Sequence, residues 1–491
     1  MRGTSPDGLA NDAGGSAAGL LPPRDDPESA AGPSDASART AEAPRPAPPH
    51  SVPPEIVRAS LRASIKDALA WSFMQGAGAG FVAPFVIVGG SQPLRLAALS
   101  ALPQFGGALV QWFSAHVTDT LGRRNRLIIG SGFIQALTWL PMCLAIFLPA
   151  GPAYWVMLAS YIGFVGMASI SNPPWQSLMG DLIPPDRRGR YFGQRNALSG
   201  VVQVAALLGA GWWLKYAGDE PALGGLPLAA ARALGLSGRA FGFLLIFALS
   251  CVARLISVYY LTQVYEPPYR PKPADRFTLL DFIRRAPKAH FGRFVFYGMI
   301  IHSAFGFNGP FLAWYLLDGR QFSTGAYATI MTASLLANLL SQPLWGRLVD
   351  RLGSKRVLEI GGIAIIFIPV FFLFCTSFWH FLLVQLYDGF TGAAYGSATS
   401  NYLYDVVTPP KRARCVAYNT LFLSFGALAG SFAGATVSAC APLQVAGLVI
   451  TEPFHLMLVG SALLRLLANV LLLWSFQEFR LNRPVFAPSA S

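Results

Sequence analysis

Residues 115–126 read AHVTDTLGRRNR, and residues 346–356 read GRLVDRLGSKR. Each stretch closes one long apolar run and opens the next. Aligned on the acid, Asp119, Gly122, Arg123 and Arg124 of the first copy meet Asp350, Gly353, Ser354 and Lys355 of the second. Gly346 leads the second copy, where Ala115 leads the first. Two more pairs recur in the same order. DLIPPDRRGR runs from Asp181 to Arg190, and DVVTPPKRAR from Asp405 to Arg414. Arg254 lies inside an apolar run that ends at Glu266, and Arg465 lies inside another that ends at Glu478. Three correspondences in one order mark the duplication of a single unit.

Outward from these turns, twelve apolar runs are long enough to cross a bilayer, which takes about 20 residues. They lie near 63–88, 94–117, 127–149, 153–179, 193–216 and 240–263, then 291–316, 323–346, 356–376, 379–404, 415–439 and 453–476. The predicted fold is an all-α polytopic membrane protein, with twelve transmembrane helices in two pseudo-symmetric six-helix bundles. The expected divisions are a disordered tail at 1–54, a first bundle at 55–263, a linker at 264–290, a second bundle at 291–480 and a tail at 481–491. The first tail is rich in Pro, Ala, Gly and Ser and cannot bury enough apolar surface to order itself. Within the linker, FTLLDFIRRA (residues 277–286) has the pattern of a short amphipathic helix on a membrane surface.

Composition agrees. Of 491 residues, 53% are hydrophobic and 12% charged, about half the charged share of a soluble domain. The net charge of +13 does not indicate a nucleic-acid binder, because the basic residues sit in short loops. One set of loops carries fourteen of them: Arg123, Arg124 and Arg126; Arg187, Arg188, Arg190 and Arg195; Arg347, Arg351, Lys355 and Arg356; Lys411, Arg412 and Arg414. The opposite set carries Arg95, Arg232, Arg239 and Arg320. The richer side is expected in the cytoplasm, with both termini. The five cysteines form no CxxC pair and the six histidines no H-x-x-x-H pair, so no metal site is expected. Phosphate-binding loops of the Walker type and serine-nucleophile motifs are absent as well. No enzyme activity and no cofactor are expected.

The duplicated turns resemble the G-x-x-x-D-x-x-G-R-[RK] loops of the major facilitator superfamily, each after the second span of its half. The resemblance covers residues 60–480. It implies two bundles around a central cavity that opens alternately to either side, with the first, fourth, seventh and tenth spans as its walls. It also implies a gate built from Asp119, Gly122, Arg123, Arg124, Gly346, Asp350, Gly353 and Lys355. An acid at such a turn can accept bonds from helix N-terminal N–H groups or pair with arginine.

Polar groups inside a span are costly and call for a reason. In the presumed cavity spans, Gln75, Asn172, Trp175, Gln176, His302, Asn308, Asp388 and Tyr395 are candidates for solute or proton binding. Asp388 is the only acid deep in a cavity span, and His302 could relay protons or pair with it. Pro310 should kink the seventh span, and Pro173–Pro174 should break the fourth. Asp181, Arg190, Arg254, Asp405, Arg414 and Arg465 read as structural charges. Lys66 and Asp67 read as interfacial residues at the start of the first span.

These readings predict a monomeric secondary active transporter of the inner membrane. It would move a small organic solute, with a sugar or similar polar metabolite preferred, and be coupled to protons or another ion. Its partners would be solute, coupling ion and lipid, without nucleic acid. The alternatives are a drug or metabolite efflux carrier, or a non-transporting sensor of the same fold. Span four has no arginine and span five no proline, which argues against a drug antiporter.

Overall fold

The computed structural model describes residues 53–477, apart from 91, 184, 219–224, 268–281, 285–288, 408–411, 446–447 and 451. All of the expected tails except Pro53 and Pro54, which opens the first helix, and most of the expected linker helix therefore lie outside the described residues. Among those described, twelve helical spans follow one another. The first half has Pro54–Ala77 continuing as Val82–Val88, then Pro93–Leu121, Arg124–Leu137 with Trp139–Ala145, Ala150–Leu182, Pro185–Gly218 and Gly238–Thr262. The second half has His290–Asn308 continuing through Leu312–Trp314, then Thr324–Leu352, Ser354–Ala364 with Phe367–Leu373, Phe378–Val406, Arg412–Ser438 and Pro453–Leu472. An antiparallel pair, β1 (Leu443–Val445) and β2 (Leu448–Ile450), joins the last two spans and is a small addition to the all-helical expectation.

Eight of the twelve are long and apolar enough to cross a membrane by length and hydropathy alone. The second, seventh, eighth and tenth fall short. They carry Gln104 and Gln111, His302 and Asn308, Asn338 and Gln342, and Asp388 and Asn401.

The packing repeats with the sequence. The first span packs on the fifth and sixth, the second on the fourth, and the third on the fourth and sixth. Six spans on, the seventh packs on the eleventh and twelfth, the eighth on the tenth, and the ninth on the tenth and twelfth. The halves meet where the second span touches the eleventh and the fifth touches the eighth. A shift of six spans exchanges those two contacts, which is the signature of an approximate two-fold axis. Phe105 meets Phe425 and Trp112 meets Tyr418 across the first contact, with ring centroids 6.2 and 5.4 Å apart.

Small residues set the closest approaches, as membrane helices require. Gly426, Gly430 and Gly434 lie one turn apart on the eleventh span and face the backbone carbonyls of Met299, Ser303 and Phe307 on the seventh. The seventh span breaks at Gly309–Phe311 as predicted, because Pro310 has no N–H to continue the ladder.

The predicted break at Pro173–Pro174 does not occur: Ala150–Leu182 is one helix with both prolines inside it. Pro174 cannot donate to the Ile170 carbonyl, but Ser114 Oγ of the second span donates to that oxygen at 2.6 Å. A neighbouring hydroxyl thus satisfies the freed acceptor. The fifth span begins at Pro185 rather than 193, so Arg187, Arg188 and Arg190 occupy helical turns and not a loop. In the linker, Phe282 is buried against Phe291, Tyr418 and Phe422 rather than laid on a surface.

Candidate functional site

A cavity of about 470 Å³ lies in the first half. Its walls include the sequence candidates Gln75, Asn172 and Trp175, with Tyr161 beside them on the fourth span. The second span adds Gln104 and Gln111, and the third adds Gln135. The lining runs from mid-helix to the helix ends that carry the Gly122 and Gly353 turns, where Asp67, Trp71, Arg195 and Leu261 complete it. At the opposite end, Val82–Val88 meets Leu312–Trp314 and Tyr315–Gly319, and Phe81 meets Tyr327 at 6.2 Å. The structure is therefore closed at that end.

Asp67 is not interfacial. It is 5% exposed because its helix starts at Pro54, roughly 20 Å of helix before it at 1.5 Å per residue. Ser257 Oγ donates to Asp67 Oδ1 at 2.6 Å, and Arg254 Nη1 donates to Ser257 Oγ at 2.5 Å. Arg254 Nη1 stands 4.0 Å and Arg195 Nη2 3.6 Å from the Asp67 carboxylate. Arg195 also lies over the Trp175 ring, 4.4 Å from its centroid, a favourable cation–π contact. Gln176 is exposed and donates to Asn172 Oδ1 at 3.2 Å.

The second half holds its polar groups differently. Asp388 accepts from Ser334 Oγ of the eighth span at 2.9 Å. His302 does not pair with it: His302 Nδ1 lies 2.9 Å from the Gly298 carbonyl, where only its N–H can bond. Asn308, 6% exposed, is committed to structure. Its Oδ1 accepts from Ser461 at 3.0 Å and from Arg465 Nη2 at 3.5 Å. Arg465 also donates to the Ile365 carbonyl at 2.6 Å and lies over Phe305. Tyr395 is buried among Tyr297, His302 and Phe305, and its hydroxyl has no hydrogen-bond partner among the described residues.

Both duplicated turns put their glycine at positive φ, with ψ of 2° at Gly122 and 155° at Gly353. Gly122 has φ +63° and Gly353 φ +93°, conformations that a side chain would strain. Asp119 and Asp350 are exposed on the last turns of the second and eighth spans, Arg123 is exposed, and Gly346 is half-buried. Arg124 is buried and pairs with Asp181 at 2.6 Å. Glu266 accepts from the Arg124 and Asn125 backbone N–H groups at 2.5 and 3.4 Å, an acid at a helix start. The repeat survives with altered chemistry, since Ser354 Oγ donates to Asp405 at 2.5 Å. Lys355, expected to bridge the halves, is buried within its own, with Glu359 at 3.2 Å and the Leu473 carbonyl. Arg190 is exposed, and the Arg414 side chain lies outside the described residues.

Comparison with known proteins agrees with this geometry. Residues 294–480 match the family model of the Major Facilitator Superfamily. The multi-drug resistance efflux pump PmrA homolog of Lactococcus lactis is 24% identical over 426 residues, covering 83% of this chain and 93% of the relative. Multidrug resistance protein MdtG of Proteus mirabilis is 29% identical over 144 residues, 29% of this chain and 36% of the relative. Among solved structures, a bacterial homologue of the human lysosomal transporter Spinster superposes with a TM-score of 0.62 at 15% identity, covering 86% of this chain and 96% of that one. The nucleoside transporter NupG gives 0.59 at 14% identity, covering 86% and 100%. The fold, two six-helix halves, is thus similar to that of these solved structures. The second half carries the signature of the Major Facilitator Superfamily, and over most of its length the chain is similar to multi-pass membrane transporters of that type.

Proposed function

We propose that the chain is a proton-coupled secondary carrier that exports a small amphipathic organic solute across a bacterial inner membrane by alternating access. The observation that carries this reading is the cavity itself, where amides and the rings of Trp71, Trp175 and Tyr161 surround a buried charge cluster. Export is supported by the relatives, whose names describe multidrug efflux. The amide-rich wall of Gln75, Gln104 and Gln111 favours a second reading, a sugar-like solute held by hydrogen bonds. The basic turns on the open side support a cytoplasmic placement of that side and of both termini, so the cavity faces inward.

Asp388 is the proposed coupling acid. It sits mid-helix with Ser334 as a neutral partner, so it can exchange a proton without first breaking an ion pair. Asp67 cannot. In liposomes with an imposed pH gradient, the intact protein should accumulate solute against its gradient. Asp388→Asn should lose accumulation while retaining solute exchange at equal pH. Accumulation by the variant would remove Asp388 from this role, and absence of solute flux in the intact protein would remove the carrier reading.

We assign Asp119 and Asp350 to the inner gate, where each would cap or pair with the facing half once the cavity closes on that side. Asp119→Asn should slow transport about tenfold, the size expected from one lost charged bond of roughly 1.5 kcal/mol. Membrane abundance should stay unchanged. Undiminished flux would contradict the gate.

A further inference from the structure

The buried charges of the spans do not balance. Arg195, Arg254 and Arg465 stand against Asp67 and Asp388 among the described mid-span residues. The surplus falls in the cavity of the first half, whose described lining holds two arginines and a single acid. Asp67 can neutralise one of the two. Arg254 is 4% exposed, lines the cavity, and keeps its Nε without a hydrogen-bond partner among the described residues. A guanidinium withdrawn from water with part of its donor set unused is expensive until an anion meets it. Its neighbour Arg195 lies over the Trp175 ring, 4.4 Å from its centroid, so a positive group and an aromatic face stand together.

We infer that the solute is an aromatic organic anion, its carboxylate or similar acidic group taken by Arg254 and Arg195 and its ring by Trp175 and Trp71. This deepens the carrier reading and rests on it. An incoming carboxylate competes with Asp67 for the same donors. Arginine suits this role, because its planar fork can serve two acceptors at once where a lysine serves one point. The solute's carboxylate then takes up in kind the donors that Asp67 holds in the resting structure.

The test compares three probes on one ring system: 2-naphthoate, 2-naphthamide and protonated 2-naphthylmethylamine. Binding is measured by equilibrium dialysis on the purified full-length protein, and flux in liposomes. The naphthoate should bind at least about tenfold more tightly than the amide, the return on one charged hydrogen bond, and should be moved fastest. Arg195→Gln should erase most of that preference and Arg195→Lys should restore part of it. Asp67 keeps Arg254 in both variants, so folding is preserved. Transport of the amide or the ammonium with the naphthoate ignored overturns the charge assignment and leaves the carrier intact. A preference that survives unchanged in Arg195→Gln overturns the assignment to this arginine pair. No movement of any probe by the intact protein overturns both the anion and the carrier reading.

Discussion

Asp67→Ala should be the most damaging single substitution in the first half. It should lower the stability of the purified protein by about 3–5 kcal/mol, the usual penalty for removing one partner of a buried ion pair. The carboxylate is held by Ser257 at 2.6 Å and flanked by Arg254 and Arg195 at 4.0 and 3.6 Å. Arg254 is 4% exposed and cannot turn to water. Without Asp67 it would be a charge enclosed by helices, and the first and sixth spans would separate to hydrate it. The check is thermal unfolding in detergent alongside a second variant, Asp67→Ala with Arg254→Leu. If stranded charge is the cause, the double variant should recover most of the lost stability, because an apolar replacement of a whole buried pair is often neutral. A double variant as unstable as the single one would show that Asp67 acts through something other than these arginines. Asp67→Asn should fall between, since an amide still meets Ser257 but carries no charge.

The same residue shows where reading from the chain alone stops. The twelve spans and their doubling were legible, because apolar length and duplicated turns are properties of local sequence. Gly122 and Gly353 were legible for the same reason: a left-handed turn needs glycine wherever it occurs. Asp67 and Arg195 were missed because hydropathy starts a span at its first apolar residue, whereas the helices start earlier, at Pro54 and Pro185. Proline in the first helical turn was the available signal, and it would have moved both charges a full two turns inward. Other features depend on partners far away in sequence. The fourth span stays whole because Ser114, 56 residues earlier, covers the carbonyl that Pro174 leaves. Asn308 was a fair cavity candidate by position, but a helix face cannot be told from one sequence, and Ser461 and Arg465 occupy its oxygen. Gln75, Asn172 and Trp175, candidates by position in their spans, line the cavity of the first half.

Replacing Gly211 with leucine should drive the protein toward the conformation that is open on the opposite side. Gly211 lies on the fifth span where it meets the eighth, and a Cβ at this position would strike the Ala328 methyl and the Thr324 carbonyl. Those contacts exist only while that end is closed, so the clash burdens one state of the cycle and spares the other. Overpacking of this kind costs about 1–3 kcal/mol, which shifts a two-state balance by roughly 5–150-fold. A ligand or a side chain moves such an equilibrium only by its differential energy between states, and here nearly all of the energy is differential. The reporter is Thr324→Cys in a background without the natural cysteines, labelled by a membrane-impermeant maleimide from the outside. With Gly211 in place the site is covered, Thr324 being 8% exposed, and labelling should be slow. With Gly211→Leu added, it should accelerate at least about fivefold, the low end of that range, and net transport should fall in step because the return to the inward-facing state becomes rare. Gly209→Leu is the control. It lies two residues away on the same helix, and a Cβ there meets nothing within 4 Å, so neither labelling nor transport should change. Equal labelling with and without the Gly211→Leu substitution, both proteins being folded, would mean that the fifth and eighth spans do not part during the cycle. The two-fold rocking motion would then have to pivot elsewhere.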